Sequence, residues 1–325
     1  MMKNVKLIWI AALMAGAAGS CMAQSNRSLL ALSKADHTLS IIDPVTLKII
    51  ARVPVGPDPH EVAASSDGRT AYVSNMGKGN SYEINVIDLI AQKRLPDIDT
   101  RPLYGPHGIV FTGGKVWFTA QDSKSVGRYD PAAGRLDWSM GTGQDRTHMI
   151  YVTPDEKKIY TTNVSSGTVS IIEHNWDWAQ TVIPVSKGSE GFDVSPDGRE
   201  IWTVAADDGV ISIIDTASRK VTATIDAKAI GANRLKFTPD GKLVFISSLR
   251  TGDLFIYDAA THTELKRLNI GHGAAGILMD PDGKRAFVAC TGDNYIVVID
   301  LKTLTLTGQR IDIGGPDGMD WAVQP

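Results

Sequence analysis

An apolar strand ending in an acid recurs seven times along this chain, as Ile42-Asp43, Ile87-Asp88, Tyr129-Asp130, Ile172-Glu173, Ile214-Asp215, Tyr257-Asp258 and Ile299-Asp300. Successive acids are 45, 42, 43, 42, 43 and 42 residues apart. A fixed period of this length means that one supersecondary unit is repeated, which constrains the fold more than any local propensity does. A second marker falls in the same register: Ser195-Pro196-Asp197-Gly198-Arg199 returns as Thr238-Pro239-Asp240-Gly241-Lys242 and Asp280-Pro281-Asp282-Gly283-Lys284, and earlier as Ser65-Ser66-Asp67-Gly68-Arg69. Asp-Gly between two alternating runs predicts a hairpin, expected here as a primed turn with positive φ.

Each unit reads as four short strands, the last being runs such as Ile49–Val55 and Val221–Ile225. Four strands per 40–45 residues is the signature of a β-propeller blade. The chain opens with only three strands of a blade, and its C-terminal Gly315-Pro316-Asp317-Gly318-Met319-Asp320-Trp321 matches the missing first one. The expected fold is therefore all-β: a seven-bladed propeller of four-stranded antiparallel blades. The C-terminal strand completes the N-terminal blade and removes an exposed sheet edge.

At 325 residues one closed β domain is an acceptable size. A composition of 43% hydrophobic and 21% charged residues belongs to the ordinary soluble class. The N-terminus departs from it: Lys3 and Lys6 precede an apolar run from Leu7 to Ala18, then small residues, the layout of a secretory signal peptide. Residues 1–23 are expected to be removed, leaving 24–325 as a single propeller domain, periplasmic or secreted. A competing route is lipidation of Cys21 in Ala18-Gly19-Ser20-Cys21, a lipoprotein box that lacks its usual leucine. Membrane attachment is expected only by that route.

Loss of the two lysines moves the net charge from −3 to −5, a poor balance for nucleic-acid binding. Only Cys290 then remains, so no intramolecular disulfide forms. A monomer is expected. The chain has no phosphate loop, no CxxC and no CxxCH for covalent haem attachment.

Ala71-Tyr72-Val73-Ser74-Asn75 and Ile159-Tyr160-Thr161-Thr162-Asn163, each followed by a strand ending in Ile-Asp or Ile-Glu, resemble the motifs of the YVTN family of β-propeller repeat proteins. The resemblance spans essentially the whole mature chain. It implies the fold and leaves the function open, since similar propellers carry lactonases, a lyase and the copper domain of nitrous oxide reductase. Function has to be argued from the site.

The first strand of a blade lines the central channel, so residues at its start form a ring at the channel mouth. In blade order they are His60, His107, His148, Glu190, Asn233, Ala275 and Asp317, spaced 47, 41, 42, 43, 42 and 42 apart. Three imidazoles and a carboxylate on consecutive blades are a sufficient first shell for a transition metal, copper or zinc. Glu190 then serves as a fourth ligand or as a catalytic base. Arg146, Asn233, Arg234 and Asp317 are candidates for holding a ligand at the same mouth. Arg101 and Lys187 lie toward this face, and any of these cations has the alternative of pairing with Glu61, Glu190 or Asp317.

Several neighbouring features admit a structural reading beside a functional one. Gly108, Gly191, Gly276 and Gly318 follow the ring residue and admit close approach, either of a ligand or of the next inner strand. His37 and the Met76–Glu83 insertion belong to the mouth face. His174, His262, Trp176 and Trp178 fall on the opposite one, where the two tryptophans are expected to pack within blades or to form a docking patch. Cys290 is expected to be a buried inert thiol.

Three classes of function remain. One is an exported propeller that binds a metal ion or small ligand at the mouth. Another is a metal-dependent enzyme at the same site, a lactone hydrolase, lyase or copper oxidoreductase. The third is a non-catalytic interaction or cell-surface scaffold.

Overall fold

The computed structural model describes residues 26–77, 81–174 and 176–324. The signal peptide, Cys21 and the Lys78-Gly79-Asn80 part of the insertion lie outside them. Among the described residues no helix is long and apolar enough to cross a membrane.

Seven antiparallel sheets of four strands form the blades, numbered here from blade 1, whose innermost strand is Pro59–Ala64, to blade 7, which both termini build. In blade 7 the C-terminal strand Pro316–Val323 lies innermost and pairs antiparallel with Arg27–Ser33, from Arg27↔Val323 through Leu29↔Trp321 to Ser33↔Pro316. Trp321 fastens this closure. Its ring meets Phe287 of blade 6 edge-on at 5.7 Å, its indole N–H donates to Met279 O at 2.8 Å, and the Arg27 guanidinium lies 4.9 Å over it. In blade 1 the outermost strand is split into Lys93–Arg94 and Ile98–Asp99, around Pro96, which has no N–H to give the ladder.

The core lies between blades. Third strands such as Val210–Asp215 are buried on both faces, whereas outermost strands such as Lys220–Asp226 alternate between half-buried and exposed. Trp202, Phe237, Phe255 and Tyr257 pack in the cluster joining blades 4 and 5. Trp178 packs between Trp138 and His174, at 4.6 Å from each ring, while Trp176 beside it is 97% exposed.

The repeated sequence markers acquire plain mechanical roles. Each aspartate that ends a third strand accepts backbone N–H groups of the following turn, as Asp43 does from Val45 and Thr46 and Asp300 from Lys302 and Thr303, whereas Glu173 pairs with Lys158 and Arg219. The Asp-Gly hairpins differ from the primed turns expected of them. Only the glycine has positive φ (Gly68 +63°, Gly198 +73°, Gly241 +71°), and its N–H closes a four-residue turn, Gly68 N to Ser65 O at 2.8 Å. Ser65 and Asp67 supply what the second positive φ would have given: the hydroxyl donates to Asp67 Oδ1 at 2.6 Å, and Arg69 N–H donates to the same oxygen at 3.1 Å.

Candidate ligand site at the channel mouth

Two rows of residues, one position from each per blade, surround the mouth. The first is the start of the innermost strand, and six of its seven members line a cavity of about 190 Å³: His60, His107, His148, Glu190, Asn233 and Asp317. The second is the residue that follows the second strand. Lys34, Met76, Gln121, Leu249 and Thr291 line the same cavity from there. Arg146 and Arg234 complete the wall.

Blade-to-blade hydrogen bonds hold the first row in place. The hydroxyl of Ser74 in blade 1 donates to the carbonyl of His107 in blade 2 at 2.5 Å, and Thr119 in blade 2 donates to His148 in blade 3 at 2.5 Å. Thr162 reaches Glu190 O at 3.4 Å and Ser247 reaches Ala275 O at 2.6 Å. These hydroxyls occupy the Ser/Thr slot of the Tyr-Val-Ser-Asn repeat, so that slot ties the wall of the site together.

The glycines after the ring residues serve the same contact. A Cβ at Gly108 would lie 2.6 Å from His148 O, at Gly276 2.1 Å from Asp317 O, and at Gly318 2.3 Å from His60 O. Gly191 meets Arg234 and Asn233 backbone in the same way, at 2.8 and 2.9 Å. All four make room for the next inner strand, the packing reading of the two available.

The imidazoles are close but are shared among different partners. The rings of His60 and His107 stand 4.7 Å apart and those of His107 and His148 3.8 Å apart, each pair tilted. The Lys34 ammonium lies 3.0 Å from His60 Nε2 and 3.2 Å from Nδ1, and it also meets Asp58 at 3.0 Å and Asp317 at 3.2 Å. Lys34 thus crowds both ring nitrogens of His60, one of the four candidate metal ligands. His148 faces Gln121 Oε1 at 2.9 Å from Nδ1 and Glu190 Oε1 at 3.2 Å from Nε2, the latter within ion-pair reach but not aligned as a hydrogen bond. Among the described residues, no group of three or more His, Cys, Asp or Glu is arranged to hold a metal ion.

Electrostatics follow from this burial. Burial, with the neighbouring His148 and His60 rings, drives His107 well below the usual imidazole range, so it is neutral at pH 7. Burial also lowers His148, although Glu190 opposes it. Glu190 is itself raised by burial, but His148, Arg234 and Arg146 outweigh that and hold it at about 2. It is therefore a fixed anion, a poor proton acceptor as it stands.

The ligand candidates divide. Arg234 is buried and its guanidinium is taken: one nitrogen donates to Glu61 and another to Asn233 O at 3.2 Å. Arg146 is exposed at the rim, held at φ +55°, and its side chain makes no ion pair or hydrogen bond among the described residues. Asn233 is buried with Oδ1 unpartnered, and Asp317 is buried against Lys34. Arg101 and Lys187 do not line the mouth, and Arg101 pairs with Asp99 instead. His37 is a turn residue whose carbonyl accepts Val55 N–H. Cys290 is buried, and burial pushes its thiol up to about 12. Lys34 and Gln121 were not anticipated, although their recurrence one residue after each second strand is visible in the blade register.

The cytochrome D1 heme domain family matches residues 144–290, less than half of the chain, a stretch that carries His148, Glu190 and Asn233 but not His60 or His107. No curated protein matches. Solved structures with the same fold include hydrazine synthase of Kuenenia stuttgartiensis at 20% identity and a TM-score of 0.71, covering 82% of this chain and 90% of that one. A candidate 6-phosphogluconolactonase from Bacteroides fragilis shares 16% identity at a TM-score of 0.75, over 91% of this chain and 97% of that one. The dihydro-heme d1 dehydrogenase NirN, in complex with DHE, shares 18% at 0.68, over 90% and 74%. At these identities the likeness is one of fold.

The residues present do not fit a haem within the mouth. Clefts for ligands of drug size run roughly 300–1,000 Å³, against about 190 Å³ here. His60 and His148 also have their ring nitrogens against Lys34, Gln121 and Glu190.

Proposed function

We propose that this protein is an exported propeller that binds a small polar molecule at the mouth of its channel. One observation carries the reading. Among the described residues, three buried polar atoms with neither a hydrogen-bond nor an ion-pair partner belong to side chains lining one small cavity: His107 Nδ1, Asn233 Oδ1 and Arg234 Nε. Buried polar atoms are almost always satisfied by protein or ordered water, so a cluster of exceptions marks a place that water or a small polar guest fills with both donors and acceptors. The export part of the reading rests on the N-terminal sequence.

A thermal-shift screen of small carboxylates, amines, sugars and phosphates tests it. Saturation at a hundred times the dissociation constant stabilises by about 2.7 kcal/mol, enough to raise Tm by several degrees. The hits are expected to lose their effect in Asn233→Leu. A screen in which no compound raises Tm, or in which the hits act equally on Asn233→Leu, overturns the reading.

A transition-metal reading, with copper or zinc on His60, His107, His148 and Glu190 and with Glu190 as catalytic base, is favoured by three imidazoles on consecutive blades and by the unpartnered Nδ1 of His107. It requires His60 to leave Lys34 and His148 to turn from Gln121. Zn²⁺ or Cu²⁺ would then raise Tm in the wild type and fail to do so in His107→Ala. A metal that leaves the wild-type Tm unchanged rules this reading out.

A further inference from the structure

The mouth presents fixed charges of both signs. Arg146 stands at its rim, within the field of Glu190 but in no ion pair or hydrogen bond of its side chain among the described residues, a cation open to an incoming carboxylate. Glu190 engages His148 through Oε1, and its other oxygen has no hydrogen-bond or ion-pair partner among the described residues. Next along the ring, the buried Oδ1 of Asn233 is an acceptor without a donor among the described residues. Lys34, by contrast, is already enclosed by Asp58 and Asp317.

A bare anion would gain Arg146 but would lie beside the Glu190 carboxylate, while Lys34 and Arg234 are already paired with Asp317 and Glu61. A bare amine would gain Glu190 and Asn233 but would face Arg146. A molecule carrying both groups satisfies each end, and charge-assisted hydrogen bonds at both make the two contributions cooperate. The cavity, about 190 Å³, is below the roughly 300–1,000 Å³ of drug-sized ligand clefts, which suits a small guest.

We infer that the mouth selects a small zwitterion, a molecule of the amino-acid class, with its carboxylate on Arg146 and its ammonium on Glu190 and Asn233 Oδ1. This rests on the small-ligand reading above and names the class of ligand. No covalent step is involved.

The test uses the mature protein with isotope-labelled histidine and three molecules of similar size: L-alanine, propionate, which lacks the amine, and isopropylamine, which lacks the carboxylate. The ring signals of His107 and His148 report occupancy of the mouth. Alanine is expected to bind at least about tenfold tighter than either of the others, the discrimination of one charge-assisted hydrogen bond. Arg146→Gln is expected to bring alanine down to the affinity of isopropylamine, and Glu190→Gln down to that of propionate. Propionate or isopropylamine binding as tightly as alanine overturns the zwitterion and leaves mouth binding standing. So does silence from all three while another compound from the thermal screen moves the histidine signals. If no compound from that screen moves them, both readings fall.

Discussion

Arg234, on the innermost strand of blade 5, reaches across the channel and donates to the carboxylate of Glu61 on the innermost strand of blade 1, three blades away around the ring. The guanidinium lines both the mouth cavity and a lower chamber of about 300 Å³, so this pair is the floor of the mouth. Asp317 and Glu190 add to the negative field around it, and together they hold Arg234 charged despite its burial.

Removing one partner of a buried pair leaves the other charge uncompensated, which is more damaging than removing both. Glu61→Ala is expected to destabilise by about 3 kcal/mol in urea unfolding. Combining Glu61→Leu with Arg234→Met is expected to recover most of that loss. A double variant no more stable than Glu61→Ala would show that the pair does not behave as a coupled unit.

The ring glycines make a sharper steric prediction. Gly276→Ala drives a methyl group to within 2.1 Å of Asp317 O, backbone that cannot swing aside. Overpacking of this kind costs about 1–3 kcal/mol. Gly141→Ala meets nothing within 4 Å and should change stability by less than about 0.5 kcal/mol. Equal effects in the two variants would remove the case for inner-strand crowding.

Closure of the ring concentrates on Trp321, which joins blade 7 to Phe287 and Met279 of blade 6. Trp321→Ala is expected to cost about 3 kcal/mol, the low end for a core tryptophan because its ring is only partly buried. Chemical unfolding measures the loss, and a change under about 1 kcal/mol would place the fastening elsewhere.

Asp320, in the wall of the lower chamber, supplies a pH dependence. Burial pushes its carboxyl up to about 6, offset in part by the Ala64 N–H that donates to it at 2.8 Å. Its folded value lies above its unfolded one, so its contribution is fully present below about pH 4 and is lost as pH rises through about 6. Asp320→Asn, which keeps the acceptor, should therefore gain stability relative to wild type as pH rises from 4 to 7. A flat difference across that window would place the carboxyl in water.

The blade count, the closing strand and the ring order follow from features with a fixed period, and such features survive translation from chain to fold. Contacts that depend on side-chain reach across the axis do not. Arg234 pairing with Glu61 was one of several partners open to it, because a ring of seven places many carboxylates at similar distance. The histidines line one cavity at the mouth, but spacing carries no information on ring orientation. Lys34 enters from a loop of blade 7, distant in sequence from both His60 and Asp317, and it changes how that row can be used. Likewise Asp67 could have entered the hairpin turn with positive φ, and only its hydrogen bond to Ser65 shows why it does not.

The most direct test of ligand binding at the mouth is a high-resolution crystal structure of the protein bound to the tightest compound from the thermal screen. Density for that compound is expected inside the ring, with a donor within hydrogen-bond distance of Asn233 Oδ1 and a polar atom on His107 Nδ1 or Arg234 Nε. Density showing only ordered waters satisfying those atoms, with the compound bound elsewhere, would contradict it.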